Sequence, residues 1–322
     1  MDDRPVARVA SKAAELRRLE LLVTRRLDGL LRGDFRGIRP GPGTEFAGTR
    51  AYEAGDDARR IDWNLSARSV VPYLRTTDAD RELQTWVVVD QSPSMHFGTV
   101  QHEKADVAFA AVAAFGFLTG RHGNQFGVVA AGGESITRLG PGSTRAALLA
   151  TLSRLYDSPR TDKPPTPDAD VAAALRLLEQ SHQRRGQVVV ISDFLDGTAW
   201  ATHMRRLSYR HDVLAVQIID PREFELPRMG MLTLVDAESG RELRVQSNSS
   251  ALRERYARAA QDRHDEIAAT ISATGSSRLV LSTDRDWLFD IARFVAQRRA
   301  FGNAANPERD RGLRTARLRS AT

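Results

Sequence analysis

Residues 86–94 read Trp-Val-Val-Val-Asp-Gln-Ser-Pro-Ser, an apolar run that ends in three oxygen-bearing side chains on alternate positions. Such a run is typical of a strand buried on both faces of a parallel sheet. Ligands of open α/β sheets bind at the carboxyl ends of strands, where Asp90, Ser92 and Ser94 fall. Carboxylates and hydroxyls are the ligands that hard cations prefer. The same residues also favour a turn followed by a helix cap, so the pattern alone leaves both interpretations open.

A second acidic residue follows another apolar run. Residues 188–193 read Val-Val-Val-Ile-Ser-Asp, which predicts that Asp193 ends a buried strand on the same edge of the sheet as Asp90. The alternative for Asp193 is a cap on the next helix. Two acids that end two central strands favour a ligand site. We predict a site for magnesium or another divalent cation, with the ligands Asp90, Ser92, Ser94 and Asp193.

The pattern of the whole chain predicts an α/β fold. From residue 85 onward, runs of strand length alternate with segments of helical periodicity, which indicates a Rossmann-like open, mostly parallel sheet with helices on both faces. Two further runs, joined by Ala-Glu-Ser-Gly-Arg, predict a hairpin insertion. The predicted segments are an N-terminal helix at 1–37, an extended or β-rich segment at 38–83, the α/β domain at 84–300 with its hairpin at about 222–248, and a basic disordered tail at 301–322.

The Asp-x-Ser-x-Ser pattern of residues 90–94 resembles the metal-ion-dependent adhesion site of von Willebrand factor type A domains. The resemblance implies a type A-like fold. Type A domains usually add a threonine from a loop ahead of an intervening helix, and the family pattern there is similar to residues 170–175. This alignment puts Ala169 at the threonine position. The resemblance therefore implies a degenerate metal site, in which Thr166 or Asp168 would be the substitute ligand.

A second resemblance is carried by residues 45–68, which read EFAGTRAYEAGDDARRIDWNLSAR. With Ser-Asp-Phe at 192–194 and Asp-Pro-Arg-Glu at 220–223, this segment resembles the signature of the domain-of-unknown-function fifty-eight family, bacterial proteins with a type A-like domain. The resemblance covers residues from about 38 to 300.

The signature segment is rich in arginine and acid. Arginine forks pair with carboxylates in two-point geometry, so we interpret the segment as a structural clasp in which Trp63 is packed. The alternative is a recognition surface for a partner, since aromatic residues and arginines also form interface hot spots. The residues of this clasp or surface are Arg50, Tyr52, Asp56, Arg60, Asp62, Trp63 and Arg68.

Composition restricts the class of protein. Of the 322 residues, 41% are hydrophobic and 27% are charged, which is typical of a globular chain. Cysteine is absent, so disulfides and thiolate zinc sites are excluded. The N-terminus lacks the apolar core of a signal peptide, and the longest apolar run, 107–118, is too short to span a bilayer. We therefore expect a cytoplasmic protein without a transmembrane segment, with peripheral attachment to a membrane as the alternative.

Charge is distributed unevenly along the chain. The net charge of +6 combines +4 in residues 1–39, +5 in residues 298–322 and −3 in the body between them. Basic tails can contact nucleic acid or anionic lipid. We interpret these ends as solvated termini, and we expect no nucleic-acid partner.

Motifs of the common enzyme classes are absent from the sequence. It has no Gly-x-Gly-x-x-Gly after the first strand, no phosphate-binding loop and no Gly-x-Ser-x-Gly elbow. We therefore predict a non-enzymatic, protein-binding adaptor. The resemblance to the fifty-eight family implies a MoxR-type AAA+ ATPase as the partner, in chaperone-like assembly or maturation of protein complexes. The alternative is a magnesium-dependent phosphatase or nuclease that uses Asp90 and Asp193.

Truncation after Gly302 should leave the melting temperature unchanged. Residues 303–322 carry no apolar stripe, cap or strand signal, so the rest of the fold should not depend on them. Thermal melts of the full and the shortened chain measure this. A drop of several degrees would show that the tail docks on the body.

Overall fold

The central sheet is built from runs of β-branched residues, whose stiff side chains fit a pleated and buried surface. The structure, a computed structural model, describes residues 16–26, 46–52, 61, 63–69, 71–77, 84–98, 102–120, 124–132, 135–158, 166, 168–182, 184–235 and 241–304. The chain divides into two units. One comprises residues 1–33 and 83–296, and the other comprises residues 34–82 and 297–322.

Ten strands and eight helices are described. The strands are β1 Phe46–Ala51, β2 Tyr73–Thr77, β3 Gln84–Asp90, β4 Gln125–Ala131, β5 Thr137–Gly142, β6 Gln187–Ser192, β7 Asp212–Ile219, β8 Met231–Val235, β9 Glu242–Gln246 and β10 Ser277–Ser282. The helices are α1 at 16–26, α2 Trp63–Ser66, α3 Lys104–Gly120, α4 Arg145–Tyr156, α5 Val171–Ser181, α6 Ala199–Ser208, α7 Ser250–Ala273 and α8 Trp287–Ala304. Within the described residues, no helix is long and apolar enough to cross a membrane.

Six strands form the main sheet of the first unit, in the order β10-β7-β6-β3-β4-β5. All neighbours are parallel except β4 and β5, which are antiparallel. The chain builds one half of the sheet from β3 to β5, then crosses back and builds the other half from β6 to β10. The strand order therefore reverses between β3 and β6, and crevices at such a reversal are where doubly wound folds bind ligands.

Helices cover both faces of this sheet. On one face, α5, α6 and α7 pack on Trp86, Val88 and their neighbours in β4, β6 and β7. On the other face, α3 packs on the sheet and on α4. Both faces of β3 are buried, which explains its unbroken apolar run. The predicted fold class, an open, mostly parallel sheet with helices on both faces, is confirmed.

The N-terminal helix packs within the first unit. Leu16 and Val23, two turns apart on α1, are buried, and Glu20 forms two 2.6 Å hydrogen bonds with Arg145 of α4. Arg26 pairs with Asp286. The predicted helix is longer than α1, but its remaining residues lie outside the described ones.

The second unit contains an antiparallel pair of strands, β1 and β2, and the single turn of α2. The Tyr73 amide donates to Ser66 Oγ at 2.9 Å and so joins the end of α2 to the start of β2. The sequence predicted an extended or β-rich segment here, and the short helix was not expected.

The last third of the first unit follows the sequence prediction closely. Strands β8 and β9 form the predicted hairpin. Helix α7 is capped by Ser249, whose hydroxyl accepts from the Leu252 amide at 3.3 Å. Gly275 ends the helix with a φ of 76°, a conformation that favours glycine. Helix α8 extends to Ala304, past the predicted boundary at 300, and the rest of the tail lies outside the described residues.

Two histidines stack at the amino edge of the sheet. The rings of His182 and His211 lie 4.6 Å apart and nearly parallel, and both side chains are buried. Within the described residues, His182 Nε2 and His211 Nδ1 have no hydrogen-bond partner. Burial, followed by the charges of His211 and Arg138, lowers the pKa of His182 to about 4. Burial also lowers the pKa of His211. Both rings are therefore neutral at physiological pH.

Acid should destabilise the fold through this pair. The unfolded chain takes up a proton at His182 near its usual pKa of 6.5, whereas the folded chain does so only near 4. The free energy of unfolding should thus fall as the pH drops from 6.5 towards 4, by up to about 3 kcal/mol for His182. Denaturant unfolding of the wild type and of His182→Leu across this range isolates the effect. Parallel pH profiles for the two proteins would contradict the prediction.

Candidate functional site at the carboxyl edge of the sheet

Asp90 ties together the ends of the two central strands. Its Oδ1 accepts from the Ser92 amide at 2.8 Å, and its Oδ2 accepts from Ser192 Oγ, at the end of β6, at 2.6 Å. Ser192 Oγ in turn accepts from the Phe194 amide at 2.8 Å. Asp90 and Ser192 are buried. The strand ends that the sequence predicted to meet therefore do meet, through a carboxylate and a hydroxyl.

The predicted ligand residues lie at this edge. Ser92 and Ser94 are buried, with their hydroxyl oxygens 3.1 Å apart. Burial raises the pKa of Asp90 to about 6, and the nearby charge of Asp193 adds to the rise. Hydrogen bonds from Ser192 and Ser92 oppose it. The structure thus brings Asp90 and Asp193 within electrostatic reach of each other.

Asp193 is paired with a lysine that was not predicted from the sequence as a site residue. Lys104, the first residue of α3, is 0% exposed, and its Nζ lies 2.6 Å from Asp193 Oδ2 and 2.5 Å from Glu223 Oε1. The other Asp193 oxygen accepts from the Leu195 amide at 3.1 Å. Burial lowers the pKa of Lys104, but the two carboxylates outweigh it and raise that pKa above its usual value. Burial raises the pKa of Glu223, and Lys104 limits that rise.

Glu223 is held in place by the end of β7. The Glu223 side chain accepts from the Asp220 amide at 3.1 Å, and Asp220 Oδ1 accepts from the Arg222 amide at 2.8 Å. Asp220 Oδ2 accepts from Thr283 Oγ1, just past β10, at 2.7 Å. A network of short hydrogen bonds therefore fixes the carboxylate that faces Lys104.

The described residues of the loop before α5 include both of the predicted substitute ligands. Ala169, at the position of the type A threonine, is buried, and its carbonyl accepts from the Gly132 amide at 2.7 Å. Thr166 is exposed. Asp168 is 91% exposed and pairs with Arg176 at 3.1 Å. Both side chains are exposed in this conformation, and the replacement of the threonine by Thr166 or Asp168 stays a prediction.

The predicted ligand residues, as they are arranged here, do not fit a divalent cation. Each carboxylate oxygen of Asp90 and Asp193 already accepts a hydrogen bond, and one of the donors is an ammonium. A cation bound to Asp193 Oδ2 would lie within about 5 Å of Lys104 Nζ, where like charges repel. Among the described residues, no group of three or more histidine or acidic side chains could hold a metal. The cation site that the sequence predicts is thus untested, and the geometry argues against it.

Apolar side chains are exposed on the loops that leave the two central strands. Phe97 follows the short 3₁₀ turn after β3 and is 41% exposed, and Leu195 follows β6 and is 38% exposed. Between Asp193 and Leu195, Phe194 has a φ of 60°, a strained value for a residue with a side chain. Its buried ring packs against Trp200, which offsets that strain. The buried Phe194 ring thus anchors the loop that carries Leu195.

Part of the signature segment can be compared with its predicted role. Trp63 is 69% exposed, so the expectation that it is packed is wrong. Tyr52 is half-buried, and its amide donates to the Pro72 carbonyl at 2.8 Å. Arg68 is exposed. Asp56, Arg60, Asp62 and the side chain of Arg50 lie outside the described residues, so the clasp itself stays a prediction.

Lys104, Ser192 and Glu223 belong to the site but were not predicted as site residues. A signal for Lys104 was available, because it lies three residues before Val107 and so falls on the buried stripe of a mostly apolar helix. A lysine on a buried stripe requires charged partners. No local pattern identifies Glu223 as its partner, since the two are 119 residues apart.

Replacing Ser192 by alanine should cost about 1–3 kcal/mol of unfolding free energy, because the buried Asp90 Oδ2 loses its donor. The matched control is Ser181→Ala, which removes an exposed hydroxyl bonded to the Leu177 carbonyl, and it should cost no more than about 0.5 kcal/mol. Urea denaturation measures both variants. Equal effects would show that the bond between β3 and β6 does not contribute to stability.

Solved structures similar to this chain are distant in sequence. An aerotolerance-related membrane protein from Bacteroides fragilis has 16% identity and a TM-score of 0.43, and covers 67% of this chain and 98% of its own. BatB from Bacteroides thetaiotaomicron has 13% identity and a TM-score of 0.40, with 68% and 99% covered. The SpRpn10 VWA domain has 14% identity and a TM-score of 0.37, with 65% and 92% covered. The strand order of the main sheet, and not these likenesses, identifies the fold.

Relatives in sequence are closer. Uncharacterized proteins of Mycobacterium bovis and Mycobacterium tuberculosis are each 46% identical over 290 residues, which cover 89% of this chain and 90% of the relative. The model of one family, described as Protein of unknown function DUF58, matches residues 48–266. This match spans most of the signature segment, all but one strand of the main sheet and the cluster around Asp90, Asp193 and Lys104. The chain therefore belongs to the DUF58 family.

Proposed function

We propose that this protein is a non-enzymatic adaptor that binds a protein partner at the carboxyl edge of its sheet. The observation that carries the proposal is the division of this edge into two layers. Lys104 is buried and paired with Asp193 and Glu223, Asp90 is buried and bonded to serines, and apolar side chains are exposed on the loops around them. Such an edge suits the contact of one protein surface with another.

The buried layer is poorly suited to catalysis. A catalytic acid or base must come within hydrogen-bond reach of the substrate. Asp90, Asp193 and Lys104 are buried and bond to neighbouring loops. Their arrangement supports the structural role of joining strand ends and favours the adaptor over the hydrolase alternative.

The exposed layer is well suited to binding because hydrogen bonds anchor the loops that carry it. The Phe97 carbonyl accepts from the Lys104 amide at 2.9 Å, and the Leu195 carbonyl accepts from Arg263 at 3.0 Å. Apolar side chains on loops that are fixed before binding lose little conformational entropy when a partner arrives. Phe97 and Leu195 are therefore the residues expected to contribute most to the affinity of this edge.

The partner that we propose is a MoxR-type AAA+ ATPase, with the adaptor acting in chaperone-like assembly or maturation of protein complexes. The support for this partner is the resemblance of the signature segment to the fifty-eight family. Within that segment, Trp63 is an exposed aromatic residue, which favours the recognition-surface interpretation over the clasp. Trp63 is thus a second candidate contact, independent of the edge of the sheet.

Phe97→Ala and Leu195→Ser, combined in one protein, should weaken binding of the MoxR-type ATPase of the same organism at least about tenfold, the effect of losing one interface hot spot. Trp63→Ala should weaken it as well. The matched control is Tyr209→Ala, which removes an exposed aromatic residue just before β7, at the opposite edge of the sheet. Calorimetry with the purified ATPase measures the affinities, and thermal melts confirm that each variant is folded.

Two outcomes would overturn this proposal. One is unchanged ATPase binding in both the edge variant and Trp63→Ala. The other is phosphatase or nuclease activity of the purified protein with magnesium or manganese that disappears in Asp90→Asn, which would favour the hydrolase alternative.

A further inference from the structure

Lys104 has a position that the helix itself does not favour. It is the first residue of α3, where the helix dipole disfavours a positive charge. It is fully buried, and an ammonium is costly to bury unless carboxylates pair with it. It is also one of only three lysines in a chain with 44 arginines. An apolar residue would suit this stripe of α3 better, so the role of Lys104 lies in its charge.

The charge of Lys104 joins three loops. The ammonium is carried by the segment after β3, and it bonds to Asp193 after β6 and to Glu223 after β7. Without it, two carboxylates would be left facing each other in a largely buried place. A lysine suits this position because its ammonium is a compact point charge, whereas the wider guanidinium of arginine binds in a planar fork.

A divalent cation at this edge would have to bind carboxylates that already have protein partners. The predicted ligands Asp90 and Asp193 accept hydrogen bonds from protein donors at all four carboxylate oxygens, and Ala169 offers no side-chain oxygen. The site therefore has both its positive charge and its hydrogen-bond donors from the chain itself.

We propose that the Lys104 ammonium takes the place of a divalent cation in this domain, so that the carboxyl edge is organised by an internal salt bridge and is independent of metal. The three strand ends are held together by a covalently attached cation, which neither chelators nor cation concentration can remove. This inference concerns the same edge as the proposed function, but its test uses the free protein, so that either can fail without the other.

The first measurement is titration of the full wild-type chain with magnesium and with manganese. We expect no heat of binding at millimolar cation and a melting temperature that neither cation nor EDTA changes. Binding that is abolished by Asp90→Asn would overturn the proposal, whatever the behaviour of any lysine variant.

The second measurement replaces the internal cation. Lys104→Met keeps the length of the side chain and removes its charge, so its melting temperature should fall, and magnesium or manganese should raise it again. The matched control is Arg145→Met, which removes the cation of an exposed ion pair at the first residue of α4 and should respond to neither cation. A Lys104→Met protein that is as stable as the wild type would overturn the proposal.

Glu223→Gln covers the case in which Lys104→Met does not fold. This change leaves the pair between Lys104 and Asp193 in place. It should permit folding, because Glu223 is partly exposed. The variant should still ignore magnesium and manganese, because the ammonium remains on Asp193. A cation response in this variant would show that the lysine does not exclude the metal, and would overturn the proposal.

Discussion

A buried ammonium must be surrounded by carboxylates, and this requirement determines the conformation of the carboxyl edge of the sheet. Lys104 lies at the start of α3, and its two partners follow β6 and β7. The three loops can satisfy the charge only if they converge. Asp90, Ser192, Asp220 and Thr283 then fill the space between the strand ends with hydrogen bonds that run from β3 to β10. The edge is thus a polar layer that closes an otherwise apolar sheet.

The two edges of the sheet differ in the state of their buried polar groups. At the carboxyl edge, Lys104 is charged and pairs with Asp193 and Glu223. At the amino edge, His182 and His211 are kept neutral, stacked on each other, with Trp86 edge-on to His182. The guanidinium of Arg138 lies 4.5 Å from the centre of the Trp86 ring. A nearby cation of this kind favours uncharged imidazoles, so protonation of the two histidines would destabilise the amino edge.

The architecture could be predicted from the sequence because it depends on local patterns. The valine-rich runs that end in Asp90 and Asp193 identify the two central strands. An acid at the end of such a strand lies at the carboxyl edge of the sheet. The cluster could be predicted only in part. Asp168 has a carboxylate, as a cation ligand should, but in the structure it is exposed to solvent and pairs with Arg176. The partners of Lys104 are 89 and 119 residues away, and only the folded sheet brings them together.

The strand order also has a consequence for the synthesis of the protein. The half of the sheet from β3 to β5 is contiguous in sequence, but the other side of β3 pairs with β6, and Ser192 is 102 residues beyond Asp90. At a translation rate of about 5–20 residues per second, that side of β3 waits roughly 5–20 s for its partner to emerge from the ribosome. During this interval a valine-rich strand presents unpaired backbone groups, which makes the nascent chain prone to pairing with other chains. The central strand of the finished domain is thus the one most in need of protection while the domain is being made.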